Sequence, residues 1–274
     1  MPELPEVETV RQSLLGKLVG RRIEAVQVRE PRLRYPVDRA QLERHVSGRN
    51  IVAIERRAKY LFVHLEGERR LVIHLGMSGR LLVERSDDPV LAHVHATFRL
   101  DDGMELRYRD PRRFGMIDFL RAEDIPQDKR FSRLGPEPLG EGCSDSYFYA
   151  RSRGSRKPVK NFLMDSQHVV GVGNIYASEA LFLAGIHPQR AAGRISRKRW
   201  QRLTAAVKEV LEQAIRKGGT TLNDFHDASG KEGEFQPDLR VYHRADEACT
   251  RCEAPIRKKI LAGRSTFYCA SCQT

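Results

Sequence analysis

The chain has 274 residues, of which 40% are hydrophobic and 31% are charged, and these proportions indicate a folded globular protein and exclude a disordered one. It contains neither a run of eighteen apolar residues nor a basic-then-apolar leader, so we expect no membrane span and no secretory signal, and a cytoplasmic location. The formal net charge is +12, with Lys and Arg spread along the chain, which favours a polyanionic partner over the alternative of a merely soluble basic protein.

The first region predicts one helix and eight short strands. Apolar residues keep helical spacing from Leu4 to Leu18, Pro5 suits a first turn, Glu6 and Glu8 favour the positive helix start, and Gly20 can end the helix. Alternating or apolar runs follow between residues 22 and 120, and they read RIEAVQV, NIVAIE, YLFVHL, RLVIHL, RLLVE, HATFRL, MELRYRD and GMIDFL. This many short strands predict a β-sandwich or a flattened barrel.

The remaining chain changes from strands to helices. Glycine and proline at 132–142 indicate a domain junction, and helical patterns follow at 157–170, 174–185 and 196–219. The first two are separated by GVG and predict a close helix–turn–helix pair. Residues 218–240 are polar and too long for an ordinary loop, which indicates a mobile or functional segment. The predicted fold is α+β and multidomain, with boundaries at 1–133, 134–225 and 226–274.

A cysteine cluster near the end predicts a metal site. Two CxxC pairs, Cys249 with Cys252 and Cys269 with Cys272, are joined by sixteen residues. This spacing is typical of structural zinc held by four thiolates, and disulfides are the alternative. Cys143 stands apart. Because Arg and Lys residues lie between the two pairs, the hairpin is well placed to grip phosphate.

Six motifs carry a resemblance to a known family. They are PELPEVET at the start, RAKYL at 57–61, HLGMSG at 74–79, DPRRFG at 110–115, VVGVGNIYASE at 169–179 and GRSTFYCASCQ at 263–273. Because these motifs occur in this order, the chain resembles the bacterial formamidopyrimidine-DNA glycosylases. The resemblance implies an N-terminal β-sandwich with an N-terminal helix, a helix–two-turn–helix domain and a C-terminal β-hairpin zinc finger holding one Zn²⁺. It also implies excision of oxidised purines and cleavage at the abasic site.

The resemblance assigns catalysis to Pro2, Glu3, Lys59 and Arg264. If Met1 is removed, Pro2 carries a secondary α-amine, and such amines titrate at about 7.7–8.0, low enough to supply a neutral nucleophile. Glu3 would transfer a proton to the opening sugar, and Lys59 would contact phosphate and assist β-elimination. Arg264 would clamp phosphate and contribute to δ-elimination. A solvated surface lysine is the alternative for Lys59, and a common Met-Pro start is the alternative for Pro2.

Seven further residues match the family's DNA-contact positions. Met77, Arg112 and Phe114 correspond to the trio that fills the gap left by a flipped base, with Arg112 facing the orphaned partner, a cytosine. Burial in the sandwich core is the alternative for Met77 and Phe114. The other four positions are His74, His93, Lys160 and Asn174. Asn174 follows GVG and begins a helix, where free N–H groups bind phosphate.

The expected partner is double-stranded DNA carrying oxidised purines, bound by a monomer at the bacterial nucleoid and away from membranes. Residues 218–240 match the flap that covers the flipped base. One rival is an endonuclease VIII-like enzyme for oxidised pyrimidines, whose start usually reads PEGPE and which lacks DPRRFG. The other rival is a non-catalytic zinc-containing DNA-binding protein, which has no need for Pro2, Glu3 and Lys59.

Overall fold

The computed structural model describes residues 2–220, 228 and 233–274. The chain forms two compact units, one made of Met1–Ser132 and Lys217–Glu234 and the other of Arg133–Arg216 and Phe235–Thr274. Part of the expected flap at 218–240, namely 221–227 and 229–232, lies outside the described residues. The finer division into three domains stays a prediction.

The first unit begins with the expected helix, α1 (Leu4–Leu18). Its apolar residues at helical spacing, among them Val7, Val10 and Leu14, are buried against the sheet. Gly20 follows the helix with a φ of +86°, a left-handed conformation that glycine adopts without strain. The helix therefore begins and ends where the sequence predicts.

All eight predicted strands are present, with the bounds β1 (Arg22–Val28), β2 (Arg49–Arg57), β3 (Tyr60–Leu65), β4 (Arg69–His74), β5 (Arg80–Arg85), β6 (Val94–Leu100), β7 (Met104–Arg109) and β8 (Met116–Arg121). They form a sheet in the order β5-β7-β6-β1-β2-β3-β4-β8. The register between β1 and β2 joins only Arg22 with Asn50 and Ile23 with Arg49. The sheet therefore folds at this point into two four-stranded halves, whose buried side chains share one core.

One helix of this unit, α2 (Arg39–Val46), was not predicted. Only Leu42 and Val46 are buried along its eight residues, so it carries too few apolar positions to show a period. Its start is nevertheless encoded locally, because the carboxylate of Asp38 accepts a hydrogen bond from the backbone N–H of Gln41 at 3.0 Å.

The second unit contains four helices and a hairpin in its described residues: α3 (Asp145–Ser152), α4 (Val159–Leu163), α5 (Asn174–Leu183), α6 (Arg197–Arg216), β9 (Ile256–Leu261) and β10 (Arg264–Cys269). The long pattern at 157–170 yields only the short α4. It is followed at once by a turn, in which the Asp165 carboxylate accepts from the N–H of Gln167. Helix α3 was not predicted. Trp200 of α6 stacks on Phe148 and donates its indole N–H to Ser152 at 3.0 Å.

The α+β multidomain prediction is confirmed, with an N-terminal helix and sandwich, a helical region and a C-terminal hairpin. Across the portion of the chain that the structure describes, none of the helices combines the length and apolar character needed to cross a bilayer.

Candidate active site and DNA interface

The two residues before α1 form a buried terminus. Pro2 and Glu3 are both buried, and Glu3 is the N-cap of the helix. The backbone N–H of Glu3 donates to the Glu6 carboxylate at 2.7 Å, as part of a capping box with Glu6 at the third helical position. The predicted nucleophile and its carboxylate neighbour are therefore held at the positive end of a helix.

The same Glu6 carboxylate also fixes the base of the predicted flap. Its second oxygen accepts from the backbone N–H of Thr220 at 2.8 Å, in a buried position. Thr220 pairs with Glu234 across the base of the segment. A Cβ on Gly233 would lie 2.4 Å from the carbonyl oxygen of Gly219, so the two ends pack with no room for a side chain. One carboxylate thus joins the terminus to Thr220 at one end of residues 221–232, and the Thr220–Glu234 pair joins that end to the other.

Lys59 lies in the two-residue turn between β2 and β3. The preceding residue, Ala58, has a φ of +57°, and its carbonyl accepts from the Arg56 guanidinium at 3.0 Å. Arg56 also donates to Glu8 of α1 at 3.0 Å. Burial opposes the charge of Glu8, but hydrogen bonds and charges from Arg11 and Arg56 hold its pKa below the ordinary value. This ion pair ties the Lys59 turn to the helix that carries the terminus.

His74 ends β4 and is almost completely buried. Burial, with the charges of Lys59 and Arg34, lowers its pKa to about 4, so the imidazole is neutral at cellular pH. Its Nδ1 accepts from the backbone N–H of Gly76 at 3.0 Å. In this state His74 shapes the loop at 75–79 and brings no positive charge to phosphate.

The expected gap-filling residues lie on two loops, which we call the Met77 loop (residues 75–79) and the Arg112 loop (residues 110–115). Met77 is 39% exposed and Phe114 is 47% exposed, so both lie at loop tips and not in the sandwich core. The Arg112 guanidinium lies 4.9 Å from the centre of the Phe114 ring, a cation–π arrangement that presents both side chains together. His93 is exposed in the turn before β6.

In the second unit, Lys160 and Asn174 form one hydrogen-bonded group. The Lys160 ammonium is buried and donates to Asn174 Oδ1 at 2.6 Å, to Thr266 Oγ1 at 2.8 Å and to the Ser265 carbonyl at 3.1 Å. Asn174, the first residue of α5, donates to the same Ser265 carbonyl at 2.9 Å. Lys160 is thus turned into the protein, where it fixes the start of α5 against β10.

Glu179 anchors the chain that enters the zinc finger. Its buried carboxylate accepts from the backbone N–H groups of Arg240, Val241 and Tyr242 at 2.8–2.9 Å. Burial raises its pKa, although the three N–H donors act in the opposite direction. This geometry gives Glu179 a structural task within its own unit.

The four clustered cysteines have the geometry of a closed metal site. Their sulfur atoms all lie within 4.8 Å of one another, and the Cys249–Cys272 and Cys252–Cys269 pairs are 3.9 and 3.5 Å apart. A tetrahedral zinc with bonds of about 2.3 Å requires sulfurs about 3.8 Å apart. The donors therefore fit one structural zinc ion. Arg264 is exposed at the turn of the hairpin that these cysteines close.

Two structural supports of these sites, Arg56 and Asp110, were not identified from the sequence, and Glu6 was expected only to favour the helix start. Glu6 lies inside the motif PELPEVET and Asp110 inside DPRRFG. Each is a buried carboxylate that accepts several hydrogen bonds. The sequence signal for both residues is that an acidic side chain lies close to residues with an expected role in catalysis or DNA binding. The contacts of Glu6 with Thr220, of Arg56 with Glu8 and of Asp110 with Ser78 join residues that are distant in sequence, so spacing alone could not identify them.

Comparisons with known proteins agree with this geometry along the whole chain. Residues 1–117 match the family model described as the formamidopyrimidine-DNA glycosylase N-terminal domain, and residues 134–226 match its H2TH domain. Residues 246–274 match the zinc finger found in FPG and IleRS. Formamidopyrimidine-DNA glycosylases of Marinobacter nauticus and Alcanivorax borkumensis are 49% and 50% identical over 273 residues, covering 100% of each chain. A Lactococcus lactis FPG mutant solved in complex with Fapy-dG containing DNA is 34% identical, with a TM-score of 0.93 and 100% coverage of both chains.

Proposed function

Because the chain belongs to the bacterial formamidopyrimidine-DNA glycosylase family, we propose that it excises oxidised purines through the amine of Pro2. The enzyme class follows from the family: the chain is a base-excision-repair DNA glycosylase with abasic-site lyase activity, and its partner is damaged DNA. The PELPE start and the DPRRFG motif favour oxidised purines over oxidised pyrimidines.

The observation that carries the catalytic assignment is the buried Pro2–Glu3 terminus at the start of α1. Once Met1 is removed, Pro2 carries the terminal amine. The positive helix end and the low polarity of the surroundings disfavour its cationic form, which leaves the neutral nucleophile. The amine attacks the sugar C1′, and the C1′–base bond breaks with the electron pair leaving on the base. The nitrogen then loses its proton, and the C1′–O4′ bond breaks with its electron pair leaving on O4′, which takes a proton from Glu3, so that an iminium ion remains. That cation withdraws electrons, so the 2′-proton is lost and the 3′-phosphate leaves.

The charged residues assigned to catalysis have complementary tasks. Glu3 is the group closest in sequence to the amine, and as a buried carboxyl group it can give a proton to the opening sugar ring. Lys59, on a turn tied to α1 through Arg56 and Glu8, binds phosphate and assists β-elimination. Arg264 holds phosphate during δ-elimination, a task that suits a permanently charged guanidinium.

Access to the base requires the duplex to open. Met77 and Phe114 fill the space that the flipped base leaves, and Arg112 hydrogen-bonds the orphaned cytosine. His93 and the start of α5 at Asn174 contact the phosphate backbone. His74 and Lys160 act on DNA indirectly, by shaping the Met77 loop and the start of α5. The enzyme works as a monomer in the cytoplasm, on chromosomal DNA at the nucleoid.

Borohydride trapping tests the nucleophile directly. Incubation with an 8-oxoguanine duplex and borohydride should reduce the iminium ion to a stable protein–DNA adduct, and peptide mass spectrometry should locate it on Pro2. A matched protein that carries a removable leader before Pro2 should give no adduct until the leader is cleaved. An adduct that maps to Lys59, or that forms with the leader in place, would contradict the assignment.

A further inference from the structure

The carboxylate of Asp110 joins the two loops that carry the gap-filling residues. The residue is completely buried. Its Oδ1 accepts from the Ser78 hydroxyl at 2.6 Å, and its Oδ2 accepts from the Gly115 backbone N–H at 2.8 Å and the Tyr108 hydroxyl at 3.3 Å. Ser78 belongs to the Met77 loop and Gly115 to the Arg112 loop. Each oxygen therefore holds a different loop.

Ser78 extends the connection to the residue that faces the orphaned base. Its Oγ donates to Asp110 and accepts from the backbone N–H of Arg112 at 3.2 Å. A single hydroxyl thus lies between the carboxylate and the peptide of Arg112. Because the hydrogen bond to a charged oxygen is short, it orients the hydroxyl and leaves its lone pairs for Arg112.

The backbone of Asp110 fixes a third segment. Its N–H donates to the carbonyl of His93 at 3.0 Å, and its own carbonyl accepts from His95 Nε2 at 2.8 Å and the Arg113 N–H at 3.1 Å. His95 is buried, whereas His93 is exposed in the turn before β6. The same residue therefore sets the position of the His93 turn as well as the two loops.

Close packing prevents the two loops from moving independently. A Cβ on Gly76 would lie 2.4 Å from the backbone carbonyl carbon of Phe114 and 2.4 Å from the nitrogen of Gly115. Burial, and then the charge of Asp110, raise the pKa of Tyr108 well above its ordinary value. The Tyr108 hydroxyl therefore stays protonated and remains a donor, with the Asp110 carboxylate and the His74 carbonyl each 3.3 Å from its oxygen.

We propose that Asp110, through Ser78, is a positioning residue that locks the Met77 and Arg112 loops into one rigid wedge, so that duplex opening and recognition of the opposite base are coupled. The inference rests on the proposed function. Asp110 touches neither the reacting sugar nor the amine of Pro2 in this scheme. Its loss should therefore impair steps that need a second strand and spare the chemistry at an abasic site that is already exposed.

Two substrates separate these steps in single-turnover experiments. One is a duplex with 8-oxoguanine opposite cytosine, and the other is a single strand with an abasic site, which has no orphaned base and no gap to fill. Asp110→Ala removes all three carboxylate contacts, Ser78→Ala removes only the connection to Arg112, and Asp110→Asn keeps one accepting oxygen. Asp124→Ala, an exposed aspartate in the same unit, is the matched control.

Hydrogen bonds to charged groups set the expected scale. Duplex excision should fall on the order of 100-fold in Asp110→Ala and about 10-fold in Ser78→Ala, with partial rescue in Asp110→Asn. Single-strand cleavage should change by less than about threefold. The preference for cytosine over adenine opposite the lesion should also narrow, an effect that general destabilisation does not produce.

Parallel loss on both substrates, or an unchanged duplex rate in Asp110→Ala and Ser78→Ala, would overturn the positioning role. If Asp110→Ala does not fold, the Ser78→Ala comparison alone decides, because it removes one hydroxyl and no buried charge. The proposed function is judged separately on the wild-type protein, which must excise 8-oxoguanine from the duplex and cleave the abasic single strand.

Discussion

The Met77 and Arg112 loops and the zinc hairpin each hold exposed side chains in place at a turn, but they do so by different interactions. Both present exposed side chains at turns, Phe114 on one and Arg264 on the other. The loops are closed by hydrogen bonds to one buried carboxylate, Asp110. The hairpin is closed by four sulfurs within 4.8 Å of one another. Metal ligation concentrates the constraint in four identical side chains, whereas hydrogen bonding distributes it among donors of several kinds.

The largest expected effect is on the metal-closed region. Removing zinc with a chelator, or changing Cys269→Ser, should unfold the hairpin, because structural zinc contributes about 10–16 kcal/mol in small modules. Metal content and the NMR signals of β9 and β10 measure the change. Cys143→Ala is the control, since Cys143 lies outside the cluster and should leave zinc stoichiometry unchanged. If the NMR signals of the hairpin persist without metal, the hairpin does not depend on zinc for its fold, and the comparison with the hydrogen-bonded loops fails.

A pair of glycine substitutions compares the packing of the two regions. A Cβ on Gly115 would lie 1.6 Å from the Tyr108 hydroxyl, whereas a Cβ on Gly263 in the hairpin turn meets nothing within 4 Å. Gly115→Ala should lower the free energy of unfolding by about 3 kcal/mol. Gly263→Ala should cost about 1 kcal/mol, through its φ of +73° alone. Urea denaturation measures both, and equal losses would show that the loops are no more tightly packed than the hairpin.

Acid should weaken the first region through His74. The folded pKa of His74 is about 4 and its ordinary value is 6.5, so the unfolded chain binds the proton first as the pH falls. Stability from this group is therefore present above pH 6.5 and is lost between 6.5 and about 4, by on the order of 3 kcal/mol. His74→Gln keeps an acceptor for the Gly76 N–H without titrating, and the wild-type curve minus this variant's curve isolates the effect. If the difference in unfolding free energy between the two proteins does not vary with pH, His74 is not the group that weakens the fold in acid.

The smallest expected effect is on the salt dependence of DNA binding, which distinguishes phosphate contacts by Arg264 from insertion of Phe114 into the duplex. Binding to damaged duplex should weaken steeply with salt, because contacts between cations and phosphates release counterions. Arg264→Ala should reduce the slope of log affinity against log salt by about 1. Phe114→Ala should weaken binding without changing that slope. Fluorescence anisotropy at several salt concentrations measures both, and a slope change in Phe114→Ala would show that the two regions do not divide the work in this way.

The elements that could be predicted from the sequence are those encoded by local periodicity or residue spacing. The helix α1, all eight strands, α5, α6 and the zinc ligands follow from period or spacing. Helix α2 was missed because only Leu42 and Val46 are buried, and α4 was overestimated because the turn at Asp165 interrupts an apolar pattern.

The candidate site divides in the same way. The resemblance supplied the positions of Met77, Arg112 and Phe114, and the structure places their backbones on adjoining loops. The contacts that hold such residues connect distant parts of the chain. Ser78 meets Asp110 across 32 positions, and Glu6 meets Thr220 across 214. No period or spacing encodes pairs of this kind, because their proximity depends on the completed fold.

The contacts at the ends of residues 221–232 have a consequence for mutations in this unit. Both ends of this segment are fixed by the Thr220–Glu234 pair, the Gly219–Gly233 contact and the Glu6 carboxylate. Between these ends, Ala228 is buried in the sandwich core, where its N–H donates to the Ser13 hydroxyl at 3.2 Å and its carbonyl accepts from the Lys17 ammonium at 3.3 Å. The segment is therefore not an independent piece, because a substitution at Glu6 or at Ala228 changes contacts of α1 and of the segment together.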